Sequence, residues 1–180
     1  FWNIPLYRAD IRHVSGLLWG EYLDDIRKNL GFAYERFGDA LKIHDDWEKV
    51  FITATDFEAL NGLTAETAVR LLGDRSLDKT GCEVHRFFGA ATIRGAYDYI
   101  QDLTSDLDKR YFIKGRPGTG KSTFLKKIAS SALKQGFDAE IYHCAFDPNS
   151  WDMVIFRELG ICLFDSTSPH EYFPDRPEDE

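Results

Sequence analysis

The octapeptide Gly115-Arg116-Pro117-Gly118-Thr119-Gly120-Lys121-Ser122 narrows what this chain can fold into more than any other stretch. It meets the pattern G-x-x-x-x-G-K-[ST] at every fixed position. Each residue type has a physical task there. The glycines let the backbone curl until several N–H groups converge on one anion, with no Cβ in the way. Lys121 adds a point charge, Ser122 a hydroxyl, and the helix that must follow adds the positive end of its dipole. Such a loop works only between a strand and a helix, and both flanks comply. Arg110 to Lys114, RYFIK, reads as a compact apolar strand. Ser122 to Gln135 carries Phe124, Leu125, Ile128, Ala129, Ala132 and Leu133 at helical spacing, with Gly136 as its stop signal.

The motif predicts a cradle for the phosphates of a nucleoside triphosphate, formed by residues Gly115 to Thr123. Lys121 would reach the β- and γ-phosphates, and Ser122 would hold Mg²⁺. Thr123 would face the α-phosphate or cap the helix. Further candidates are sought at strand ends, where ligands of open α/β sheets gather. Asp165 closes the apolar run Ile161 to Phe164, and this is where a second Mg²⁺ ligand and charge-organising carboxylate belongs. The bland alternative is an Asx turn. Asp147 follows the strand AEIYHC (Ala139 to Cys144) and would position a water or an acceptor hydroxyl, or simply start the turn Asp-Pro-Asn-Ser. His143 reads as a core histidine or one set behind the site rather than a catalyst, and His170 and Arg157 as groups able to approach phosphates. His44-Asp45-Asp46 with Trp47 is a poor metal site by spacing, because adjacent helical residues do not share a face.

Charge agrees with a compact polyanion. Lys109, Arg110, Lys114, Arg116, Lys121, Lys126 and Lys127 fall in a stretch with no acidic residue, so the rest carries about −15 within a net −8. A positive island in an acidic chain suits a triphosphate and disfavours long nucleic acids. No apolar run approaches the length of a membrane span, and no leader pattern is present. Cys82, Cys144 and Cys162 form no CxxC pair and read as small buried hydrophobes of a reducing, cytoplasmic setting.

Along the chain, Pro5 discourages a helix near the start. From Leu17 to about Phe51, Leu18, Tyr22, Ile26, Leu30, Tyr34, Phe37 and Leu41 predict a long helix with a structural apolar stripe, broken near Gly31 or Gly38. A second helix is predicted from an N-cap at Thr64 to Leu72, and a boundary near residue 80. Beyond it, the expected order is a strand at Glu83 to Phe88, a helix at Gly95 to Leu103, the strand before the loop, and the helix after it. Next come the strand AEIYHC, a helix or helical turn from Trp151 to Leu159, and the strand Gly160 to Phe164. That order predicts an α/β fold: a P-loop NTPase core with a parallel sheet (residues 80–180), preceded by an all-helical segment (1–79).

Four stretches also carry a resemblance: HDDWEK (His44 to Lys49), KGRPGTGKSTFLKKI (Lys114 to Ile128), YHCAFDPNSWDMVI (Tyr142 to Ile155) and FDSTSPHEYFP (Phe164 to Pro174). Together they resemble a poorly characterised bacterial group of ATPase-like proteins with two P-loop modules in tandem, each followed by a helical insertion. The resemblance implies that residues 1 to about 75 are the helical tail of a first module and that a second begins near residue 80. It implies ATP and Mg²⁺, carried onto Gly115, Gly118, Gly120, Lys121, Ser122 and Asp165. On this view the sheet is incomplete, because the chain reaches Glu180 soon after the third core strand. The expected activity is Mg²⁺-dependent ATP hydrolysis. A small-molecule kinase on the same loop is one rival; a nucleotide-gated switch or assembly module is another. The partners expected are the nucleotide and either a second copy of the chain or a preceding P-loop module.

Overall fold

A computed structural model of the chain describes residues 16–92, 94–168 and 170–180, with side chains described from residue 22 onward except that of Ala91. The segment around Pro5, and the side chain of Leu18, lie outside the described residues. The chain's internal packing divides it between Lys42 and Ile43. Helix α1 (Gly16–Ala54) runs through that division without the break expected at Gly31 or Gly38. Its continuity follows from length: a long run of internal hydrogen bonds absorbs isolated glycines at about 1 kcal/mol each. In the first unit the stripe residues Tyr22, Ile26, Leu30, Tyr34 and Phe37 are exposed, so the stripe is not a core face among the described residues.

The second unit begins with the last turns of α1. Helix α2 (Phe57–Leu72) starts seven residues before the expected N-cap at Thr64, because Asp56 takes the capping role and accepts the Ala59 N–H at 2.9 Å. Thr64 instead lies inside the helix and donates its hydroxyl to the Leu60 carbonyl. Then follow β1 (Glu83–Phe87), β2 (Gly89–Thr92), β3 (Gly95–Asp98), the short α3 (Ile100–Leu103), β4 (Lys109–Ile113), α4 (Lys121–Lys134), β5 (Ala139–His143), β6 (Trp151–Phe156) and β7 (Ile161–Asp165). The helix expected over Gly95–Leu103 is thus a strand plus one turn, with β2 and β3 forming an antiparallel hairpin.

Five strands form one sheet in the order β1-β5-β6-β7-β4. The fold is α/β, as expected, but the sheet is mixed rather than parallel. β1 pairs with β5 and β7 with β4 in parallel, while β6 runs antiparallel to both its neighbours. The cause is Trp151–Phe156, part of the Trp151–Leu159 segment expected to form a helix or helical turn and here a strand. WDMVIF is short, rich in aromatic and β-branched residues, and joined to β7 by only a 3₁₀ turn, Arg157–Leu159, and Gly160. A connection that short reverses the chain, whereas a parallel neighbour needs a crossover of a dozen residues or more.

Both sheet faces are covered. On one, Phe124, Leu125, Ile128 and Ala129 of α4 pack with Leu71 and Leu72 of α2 over Ile141, Val154, Phe156 and Leu163. On the other, Phe88, Ile100 and Leu107 pack against Tyr142, Met153, Ile155, Cys162 and Phe164. The exposed edge of β4 is extended by the acidic end of the sequence. Glu180 exchanges backbone hydrogen bonds with Phe112 and Arg110. Arg110, fully buried, pairs with Asp179 and Asp175. No helix among the described residues is long and apolar enough to cross a membrane.

Candidate functional site

Gly115 to Gly120 leave the carboxyl end of β4 and enter the N-terminus of α4, the arrangement the motif requires. Gly118 and Gly120 adopt φ of +82° and +86°, the left-handed region that glycine occupies at least cost. Space makes a second demand on both. A Cβ at Gly118 would collide with the Glu48 carbonyl and lie 2.9 Å from its Cγ, and one at Gly120 would enter the Leu60 side chain. The end of α1 and the body of α2 therefore press directly on the loop, and Thr55 Oγ1 reaches to 3.4 Å of the Gly118 carbonyl oxygen. The first-turn N–H groups of Lys121, Ser122 and Thr123 have no intrahelical acceptor, so this end of α4 presents free donors and the positive end of its dipole.

Lys121 is nearly buried and folds over the loop. Its Nζ donates to the carbonyls of Gly115 at 2.6 Å and Arg116 at 3.0 Å, and lies 3.4 Å from Asp165 Oδ2. Thr119 donates to the Arg116 carbonyl, tightening the turn through Pro117. Ser122 Oγ accepts the Trp151 N–H at 2.9 Å, which ties α4 to the start of β6. Thr123 is exposed at the cavity rim.

Asp165 ends β7 next to the loop strand, in register with Ile113. The Asx turn is present, with Oδ1 accepting the Thr167 N–H at 3.0 Å, and Oδ2 faces Lys121. Asp147 lines the same cavity while also forming its turn, accepting the Asn149 N–H. His170 faces the cavity too, its Nδ1 held 2.6 Å from Asp98 Oδ2, and Tyr172 donates to the other oxygen of Asp98. His143 does not line the cavity; it is half-buried on β5 and pairs with His85 of the edge strand β1 at 2.8 Å. Arg157 is a correction. It follows β6 at the opposite end of the sheet, bound to Glu140, Asp106 and the Leu103 carbonyl, and so does not approach the loop.

The residue that sequence reasoning missed is Asp152. Beyond the rung Met153↔Phe164, the β6–β7 register brings it opposite Asp165. On its other side β6 bulges against β5: Tyr142 pairs with Met153 but His143 with Trp151, leaving Asp152 as the extra residue. Asp152 is buried, and burial pushes its carboxyl up to about 6. A hydrogen bond from the Cys144 thiol opposes that rise, the neighbouring Asp165 charge adds to it, and His170 and Lys121 oppose it. Reading Trp151–Leu159 as a helix hid this carboxylate; the bulge carries no sequence signal of its own.

These groups surround an open cavity of about 940 Å³, whose remaining walls come from the end of α1, with His44, Trp47 and Glu48, and from Phe146. Among the described residues, His44, Asp45 and Glu48 also bring ligand atoms within 4.8 Å of one another, because His44 and Glu48 are one helical turn apart. The cysteines divide three ways: Cys162 is buried, Cys144 half-buried and Cys82 exposed, so the uniform burial expected does not hold for Cys82. Burial pushes Cys144 up to about 11 and Cys162 up to about 12, which leaves both as protonated thiols.

Fold and site together define an α/β chain whose glycine-rich loop delivers a lysine and a helix N-terminus to two carboxylates on adjacent strands. Compared with protein-family models, curated proteins and solved structures, the chain matches none in any of the three.

Proposed function

We propose that the chain binds a nucleoside triphosphate, ATP with Mg²⁺, and hydrolyses its β–γ bond. The observation that carries this reading is the convergence of the Gly115–Ser122 loop, Lys121 and the Asp165–Asp152 pair at one sheet end. The loop amides and Lys121 would hold the β- and γ-phosphates, the lysine exchanging its carbonyl partners in the loop for phosphate oxygens. Ser122 and Asp165 would hold the metal through a hydroxyl and a carboxylate, oxygen donors that suit a small hard cation. When bound, Mg²⁺ neutralises charge on the phosphate oxygens.

Hydrolysis forms a bond from water oxygen to the γ-phosphorus and breaks the bond to the bridging oxygen, which leaves with ADP. The water must lose a proton. Asp152, mostly ionised at neutral pH yet basic for a carboxylate, is the group suited to take it. In the test, Lys121→Ala abolishes ATP binding by titration calorimetry and phosphate release by coupled assay. Unchanged ATP affinity in that variant overturns the reading.

A further inference from the structure

The phosphate loop accounts for one end of the cavity only. The rest of its lining is partly aromatic, supplied by the last turns of α1, beside the loop, and by the β5–β6 loop. We propose that this aromatic lining, Trp47 buttressed by His44 and Phe146, is a purine-binding platform. The proposal rests on the nucleotide reading above and assigns the base its place.

Three observations support it. The first is position. Glu48 touches the loop at Gly118, and Trp47 and His44 lie beside it and one turn earlier, about 5 Å further along the helix. The second is ring geometry. His44 stands edge-on to Trp47 (6.4 Å between centroids, 85°) and to Phe146 (5.7 Å, 71°), and Trp47 stands edge-on to Phe51. Edge contacts fix the indole without stacking on it, and Trp47 remains 46% exposed while lining the cavity. A fixed, half-exposed indole beside a phosphate cradle is what a nucleobase requires. The third is charge. Glu48 and Asp147 line the cavity with the aromatic residues, and carboxylate oxygens there can accept a hydrogen bond from the exocyclic amino group of adenine. The volume of about 940 Å³ lies at the upper end of ordinary ligand sites, more than a triphosphate tail needs. A purine is favoured over a pyrimidine because its two rings cover more of the indole.

The experiment compares Trp47→Ala and Trp47→Phe with wild type by titration calorimetry, using ATP, CTP and inorganic tripolyphosphate as probes. Wild type should bind ATP at least about tenfold more tightly than tripolyphosphate. Trp47→Ala should lose that margin while keeping its tripolyphosphate affinity, Trp47→Phe should keep most of it, and CTP should bind less tightly than ATP. ATP binding by Trp47→Ala equal to wild type overturns the platform alone, and CTP binding equal to ATP overturns the purine assignment. Failure of wild type to bind either ATP or tripolyphosphate overturns the phosphate-loop reading and the platform with it.

Discussion

Replacing Asp152 by Asn removes a charge that the fold holds at a cost. The side chain is 8% exposed, and its carboxyl is raised from 3.8 to about 6, first by burial and further by Asp165. A shift of about two units corresponds to about 3 kcal/mol at a pH where both states are ionised. Between pH 4 and 6 the folded protein holds a proton that the unfolded chain has released. Stability therefore falls as pH rises through that window and is flat above it. The amide has no proton to lose, so Asp152→Asn should match wild type near pH 4 and gain about 2–3 kcal/mol at pH 7–8. Urea unfolding at unit pH intervals, in EDTA and without nucleotide, measures this directly. In the same variant, phosphate release should fall by about a hundredfold or more, because the proton acceptor is gone. A protein both more stable and less active is the expected signature. A gain equal at pH 4 and pH 8, or no gain at pH 8, would refute the placement of an ionised carboxylate in that site.

Two other substitutions test the supports of the site. Gly118→Ala places a Cβ against the Glu48 backbone at φ +82°. It should cost about 1–3 kcal/mol in urea unfolding and weaken ATP binding, and wild-type values for both would show that α1 does not press on the loop. Asp179→Asn leaves the buried Arg110 guanidinium short of its main partner and should cost about 3–5 kcal/mol in thermal or urea unfolding at pH 7. Arg110 holds the Asp179 carboxyl well below the usual range, so the wild-type advantage is complete above about pH 4 and shrinks as pH falls further. An advantage that does not change down to pH 2 would contradict that pairing.

What the sequence disclosed, and what it hid, follows from how far each feature depends on distant residues. The loop's chemistry is contiguous: eight residues, a strand before and a helix after contain all that the cradle needs, so Gly115 to Ser122 were legible at once. Asp165 was legible because an apolar run ending in an acid marks a strand end, and strand ends in parallel pairs meet at one edge. Asp152 was not, since its role depends on whether WDMVIF is helix or strand. A six-residue segment with one acid among five apolar residues fits either period, and only the shortness of the turn at Arg157–Gly160 argues for reversal. The reversal is what gives the site its second acid. A crossover helix at Trp151–Leu159 would have removed Asp152 from the sheet, whereas an antiparallel return delivers it opposite Asp165, and the bulge against β5 leaves it unpaired on that side.

The α1 contribution was hidden for a related reason. HDDWEK stood out as a resemblance and as an implausible metal triplet, not as a wall of the site, because that role lies in what Glu48 touches more than sixty residues later. The glycines of the loop answer two constraints together. One is local: the positive φ that Gly118 and Gly120 adopt. The other is tertiary: the approach of Glu48 and Leu60, which leaves no room for a Cβ. The same approach brings the aromatic residues of α1 beside the glycine-rich loop. A substitution at Gly118 should therefore disturb both ends of a bound nucleotide, while one at Trp47 should disturb only the base.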